Sequence, residues 1–193
     1  FFIDMNLQSS DFELFGIPVR FAQERAVLDL RWKDLQREAH PDRFSRQGAA
    51  AQRVAMQWSV RINEAHQRLK DPLKRAAYLC ELNGVPINAE SNTAMPADFL
   101  MQQMAWRESL DEAVSRADLD QINAEVVTVR HEALQKCEQL LDVEHDYAQA
   151  VQQVRGLMFV ERFARDIEDR LDACYDPNAQ TDDTSAGAAN KGQ

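Results

Sequence analysis

Two long stretches with helical periodicity, residues 22–39 and 48–70, lie on either side of a proline at position 41. In the first, Leu28, Trp32, Leu35 and Ala39 are spaced four, three and four apart, which gathers them into a narrow stripe on one side of an α-helix. In the second, which Gly48 opens and Lys70 ends, the stripe is Ala51, Val54, Ala55, Trp58, Ile62, Ala65 and Leu69. Pro41 ends the first helix, because the residue before a proline is pushed out of the α region. Two facing apolar stripes with a short break between them make an antiparallel hairpin that exposes its connecting loop. Lys33 and Arg37, one turn apart, lie on the side of the first helix away from its stripe.

The remaining punctuation is also helical. Ser10-Asp11-Phe12-Glu13 reads as a capping box, and the short helix it starts stops at Gly16, before Pro18. Asp71-Pro72 is a cap followed by proline at the first helical position; that helix runs through Tyr78 and Leu82 and is closed by Gly84. Residues 85–96 hold Pro86, Asn88, Ser91, Asn92, Thr93 and Pro96, and read as a linker at a domain boundary. Three more helices are expected over 97–114, 119–141 and 146–172. The middle one takes Asp118 as its cap and has Leu119, Ile122, Val126, Val129, Ala133, Cys137 and Leu140 on one stripe. The polar, aperiodic stretch 173–193 reads as a disordered tail, clearest from 176 onward. No segment alternates, and 6 Gly and 6 Pro in 193 residues are few for an all-β chain. The expectation is an all-α protein: residues 1–84 as one helical domain, 85–96 as linker, 97–172 as a three-helix bundle.

With 22 Lys plus Arg against 32 Asp plus Glu, the net charge of −10 argues against non-specific nucleic-acid binding, which needs a basic surplus, and against attachment to anionic lipid. The average hides a split. Residues 1–86 carry 13 basic and 11 acidic side chains, and residues 87–193 carry 9 and 21. A slightly basic half and a strongly acidic half suit different protein partners. Cys80, Cys137 and Cys174 form neither a disulfide framework nor a zinc-type spacing. They fit a reducing compartment, and the expected location is cytoplasmic. Phe1-Phe2-Ile3-Asp4 has neither the basic nor the apolar region of a signal peptide; it reads as an extension ahead of Met5 as the natural start.

His40-Pro41-Asp42 is the tripeptide that carries chemistry. Pro41 fixes φ and offers no amide donor, His40 is held near an extended conformation, and Asp42 presents an acceptor suited to an arginine on a partner. Lys33 and Arg37 supply a positive face that steers an acidic partner. Two plainer readings stand beside this one: a simple helix stop, and an acid–base or metal pair of His40 with Asp42. No third ligand stands at useful spacing, and His66, His131 and His145 read as isolated surface or boundary residues on helices. No catalytic residue, metal or cofactor is expected. Further on, the 97–114 helix has one apolar stripe in Phe99, Trp106, Leu110 and Ala113 and a second in Leu100, Met101 and Met104, continued by Glu108 and Glu112. A three-helix bundle consumes one stripe. The second packs either on the N-terminal domain or linker, or on a partner.

His40-Pro41-Asp42 followed by Ile62-Asn63-Glu64-Ala65, Leu69, Asp71-Pro72 and Lys74-Arg75-Ala76-Ala77-Tyr78 resembles the J-domain of DnaJ-type co-chaperones over residues 10–83. With Phe99-Leu100-Met101-x-x-Met104, Arg107-Glu108-x-Leu110-Asp111-Glu112 and Arg155-x-Leu157-x-Phe159, the resemblance sharpens to the HscB family and extends to about residue 172. It implies an L-shaped, two-domain, non-enzymatic co-chaperone. Such a protein brings an IscU-type iron–sulfur scaffold to an HscA/DnaK-type chaperone and stimulates that chaperone's ATPase. By position, the chaperone-binding residues are His40, Pro41, Asp42, Lys33 and Arg37, and the scaffold-binding residues are Leu100, Met101, Met104, Glu108, Glu112 and Phe159. The alternative is a J-domain co-chaperone with a different client. Three departures stand out: Ala39 where an aromatic usually precedes the tripeptide, Met104 for a typical leucine, and Ala105 where an acidic residue is frequent. The zinc-binding Cys-x-x-Cys pair of some members is missing from this sequence, which points to the bacterial type.

Overall fold

The computed structural model describes residues 8–87 and 95–174. Most of the expected linker (88–94) and almost all of the expected tail (175–193) lie outside the described residues. Within them the chain is helical, without a strand: α1 (Asp11–Phe15), α2 (Arg25–Glu38), a 3-10 helix (Pro41–Gln47), α3 (Ala49–Lys70), α4 (Pro72–Leu82), α5 (Ala97–Glu112), α6 (Arg116–Glu138), a π-helical segment (Gln139–Glu144) and α7 (Tyr147–Ala173). No helix among the described residues is long and apolar enough to cross a membrane.

The caps form where their side chains can reach free amides. The Ser10 hydroxyl accepts from the Glu13 amide and the Glu13 carboxylate accepts from the Ser10 amide, so the capping box is complete. Gly16, left-handed at φ +60, ends α1. Asp71 accepts from the Leu73 and Lys74 amides at the start of α4. For α6 the structure corrects the sequence reading. The helix starts at Arg116 rather than 119, and its cap is Ser115: the Ser115 hydroxyl accepts from the Asp118 amide at 3.2 Å while Asp118 accepts from the Ser115 amide at 2.9 Å. Asp118 is the returning partner of the box, which holds its carboxyl below the ordinary range through those Ser115 contacts.

The chain forms two compact units. Of the described residues, one unit holds 8–87 and 95 together with 130–158, and the other holds 96–129 together with 159–174. The stretch 97–172, read from sequence as one bundle, therefore contributes to both. The reason is visible in the first core. Cys137, Leu140, Leu141, Ala150, Val151 and Val154 are buried in one cluster with Phe12, Phe15, Phe21, Leu28, Ile62, Leu69 and Cys80. Polar clamps reinforce it. Asp142, in the π-helical segment, accepts from the Phe21 and Ala22 amides at 2.6 and 2.8 Å. These amides lie just ahead of α2, which begins at residue 25 rather than 22. Buried Arg75 donates to the Phe21 and Leu69 carbonyls, and buried Arg155 donates to the Ile87 carbonyl at 2.8 Å. Burial pushes the Cys80 and Cys137 thiols up to about 11 and about 12, so both are packing groups rather than nucleophiles.

Two more expectations fail in this unit. Val54 is 52% exposed rather than part of the α3 stripe, because at about 100° per residue it falls just outside the arc of buried Ala55, Trp58, Ile62, Ala65 and Leu69. His66, read as a surface or boundary residue, is buried. Its ring stacks on Trp32, centroids 4.9 Å apart, and its Nε2 donates to Asp29 at 2.8 Å. That hydrogen bond, aided by Arg25 and opposed by partial burial, holds the Asp29 carboxyl below its ordinary value of 3.8. A depressed carboxyl contributes stability that is complete above its unfolded pKa and is lost as pH falls through the lower folded value. Melting midpoints of the native chain and Asp29→Asn should therefore differ at neutral pH and converge below pH 3.8. A gap that persists unchanged into strong acid would refute this.

In the second unit, Trp106 and Leu110 of α5 are buried with Leu119, Ile122 and Val126 of α6 and Val160, Phe163 and Ile167 of α7. Trp106 and Phe163 stack with centroids 5.4 Å apart. The last turn of α5 holds no basic residue. Its end is capped instead by Arg170 of α7, which donates to the Leu110 and Ala113 carbonyls.

Candidate functional site

The first candidate lies at the turn between α2 and α3. His40 takes φ −64, ψ 126, the extended conformation that a following proline imposes, and Pro41 opens the 3-10 helix at its first position. The His40 Nδ1 accepts from the Asp42 amide at 3.3 Å, so the imidazole caps the 3-10 turn. In the neutral ring an accepting Nδ1 leaves Nε2 as an N–H donor. The two side chains are 59% and 90% exposed, with Nδ1 3.7 Å from the Asp42 carboxylate. The tripeptide thus presents one donor and one full carboxylate to solvent. Lys33 and Arg37 are exposed on α2, and Arg37 also pairs with Asp34 at 3.2 Å. Exposed Leu30 stands three residues before Lys33 and belongs to the same outward side, which the sequence reading passed over. Among the described residues no group of three or more His, Cys, Asp or Glu could hold a metal ion, so the pairing of His40 with Asp42 gains no third ligand.

The second candidate is α5. Leu100, Met101 and Met104 are 45%, 67% and 71% exposed, on the side away from buried Trp106 and Leu110. Glu108 and Glu112 are exposed on the same side, one and two turns on. These three side chains do not join the core that Trp106 and Leu110 fill in their own unit. Phe159 is set apart from this exposed stripe. It comes from α7, is half-buried, and meets the ring of Phe99 edge to face at 6.3 Å. It borders a small cleft with Gln103, Trp106, Arg107 and Arg162. Arg107, one helical step from Glu108, bridges the cleft and the exposed stripe. Its guanidinium adds a positive group to a surface that the sequence reading had described as apolar with acidic flanks only.

These features have counterparts in known proteins. Residues 95–168 match the family described as the HSCB C-terminal oligomerisation domain. The chain is 46% identical over 166 residues to the co-chaperone protein HscB homolog of Burkholderia multivorans, covering 84% of this chain and 94% of that one. It is 48% identical over 157 residues to the homolog of Bordetella petrii, covering 81% and 92%. Among solved structures it resembles the chaperone HscB of Vibrio cholerae, with TM-score 0.76, 30% identity and coverage of 86% and 99%. It also resembles human co-chaperone HscB, with TM-score 0.79, 26% identity and coverage of 90% and 85%. An all-α chain with an exposed His-Pro-Asp turn and a matching C-terminal domain, alike along most of its length to these proteins, belongs to the HscB co-chaperone family.

Proposed function

We propose that this chain binds an IscU-type iron–sulfur scaffold, presents it to an HscA-type chaperone of the DnaK class, and stimulates that chaperone's ATPase. The observation that carries the reading is the exposure of Leu100, Met101 and Met104 on a helix whose opposite side already fills a core. Three adjacent apolar side chains in water, two of them flexible thioethers, form an adaptable docking surface. Glu108 and Glu112 beside them favour a client with basic groups at the rim, and Phe159 supplies a half-buried aromatic edge.

The triggering half rests on the α2–α3 turn. Lys33 and Arg37 raise the encounter rate with an acidic surface. Once docked, the Asp42 carboxylate accepts from a chaperone arginine while the His40 Nε2–H donates, with Pro41 keeping the two in fixed relation. The chain is a non-enzymatic partner in this scheme: the phosphate chemistry belongs to the chaperone. Holding client and trigger on one chain makes the second contact effectively intramolecular.

The test is direct. ATP turnover by a purified HscA-type chaperone is measured alone, with this chain, and with this chain plus an IscU-type scaffold. Turnover should rise at the first addition and again at the second, and the scaffold should be captured by the immobilised chain. No rise and no capture would reject the function; a rise without capture would keep the trigger and move the reading to another client.

A further inference from the structure

A line of polar contacts runs down one flank of the α2–α3 hairpin to the tripeptide. On α2 and its C-terminal cap the participants are Asp29, Trp32, Gln36 and Ala39, spaced three, four and three; on α3 they are His66, Asn63 and Ser59, spaced three and four. His66 Nε2 donates to Asp29 at 2.8 Å. Trp32 Nε1 and Gln36 Nε2 both donate to the Asn63 Oδ1, at 2.9 and 2.8 Å. Gln36 Nε2 also donates to the Ser59 carbonyl at 3.1 Å. The last rung is the Ser59 hydroxyl donating to the Ala39 carbonyl at 3.2 Å. That carbonyl belongs to the peptide whose nitrogen is His40.

We propose that Ser59 is a positioning residue for His40. The Ala39 carbonyl stands at the C-terminal end of α2, where helical carbonyls lack intrahelical partners, and the next amides within reach, Asp42 and Arg43, go to the His40 Nδ1 and the His40 carbonyl. The half-buried Ser59 hydroxyl supplies a donor from the facing helix and fixes the plane of the Ala39–His40 peptide. Past that peptide, the Asp42 amide donates to the His40 Nδ1 at 3.3 Å. The peptide ahead of His40 is therefore held from α3 and its ring from the 3-10 helix. Gln36 and Asn63 set the register in which Ser59 meets Ala39. A one-turn slip would carry the hydroxyl about 5.4 Å away from that carbonyl. Ala39 is fully buried, so the peptide is also packed from the apolar side, and the hydroxyl decides its rotation rather than its place.

This inference rests on the proposed triggering role of the loop, and the experiment separates the two. Native chain, His40→Gln, Ser59→Ala and Ser59→Thr are compared in full-length form for stimulation of an HscA-type ATPase across a concentration series. Loss of stimulation in His40→Gln, with native stimulation present, is the control for the triggering role. Given that control, Ser59→Ala should lower maximal stimulation about three- to tenfold, the worth of one net hydrogen bond in positioning. The half-saturating concentration should shift less than twofold, because the docking side chains are untouched. The Asp42 amide resonance should broaden or shift toward the disordered range, and Ser59→Thr, which keeps the hydroxyl, should restore both readouts. Native-like stimulation by Ser59→Ala overturns the inference alone. So does a loss that merely follows a fall in helical content, or one that Ser59→Thr fails to restore. If the native chain or His40→Gln gives no difference, the triggering role falls first.

Discussion

His40→Gln is expected to remove at least about 95% of the ATPase stimulation, the loss that follows when a central contact worth 2 kcal/mol or more disappears. The fold has little stake in this side chain. It is more than half exposed, and its polar contacts are with Asp42, two residues away in the same turn. Substitutions at such positions change stability by no more than about 0.5 kcal/mol, so helical content and melting midpoint should match those of the native chain. Glutamine keeps an acceptor for the Asp42 amide, but its longer, freely rotating amide does not hold a donor at the place of Nε2. Scaffold capture through α5 should also be unchanged. The decisive measurement is single-turnover ATP hydrolysis by an HscA-type chaperone with native or variant chain at saturating concentration. Normal stimulation by the variant would refute the assigned role of the loop.

The second large effect belongs to the exposed side of α5. Leu100→Ala with Met104→Ala should weaken binding of an IscU-type scaffold about 30- to 1000-fold, since two adjacent apolar anchors of about 1–2 kcal/mol each are truncated. The two sit one turn apart on the same side of α5 and are expected to couple, so the double variant is the unit to test. Alanine is the best helix former, and both side chains are already exposed, so α5 itself should remain intact. The variant should keep its His40-dependent stimulation when scaffold is left out and lose the additional rise when scaffold is present. Titration calorimetry with scaffold gives the binding loss directly. Unchanged affinity would reject the assigned surface and favour a co-chaperone with another client.

The helices were legible because their signals are local. The Ser10 box, Asp71-Pro72 and the stripe of α2 each act within one or two turns, and each appears in the structure close to its expected place. The miss at α6 is of the same scale: Ser115 and Asp118 are both cap residues three apart, and sequence alone does not say which of them accepts from the helix and which reaches back. His66 was misread for a different reason. A histidine on a helix looks like a boundary residue until Asp29, 37 positions away, is seen to accept a hydrogen bond from its Nε2 and Trp32 to cover its face. The two candidate sites differ likewise. The tripeptide is contiguous and could be found by reading. The status of the second stripe on α5 depended on whether the core of its own unit takes it up, which periodicity does not tell.

The all-helical class, the hairpin around Pro41, the exposed tripeptide and the acidic C-terminal half are all legible before folding, since they follow from neighbours within a few residues and from composition. The folded chain was needed to see that residues 130–158 share a core with the N-terminal helices, that Asp142 anchors the entry to α2, and that Leu100, Met101 and Met104 stay out of their own unit's core. It alone placed the Ser59 hydroxyl on the peptide behind His40. The physical reason is the same in each case. A turn, a cap or a stripe is a property of adjacent residues, whereas burial and long-range hydrogen bonds belong to pairs that only the folded chain brings together.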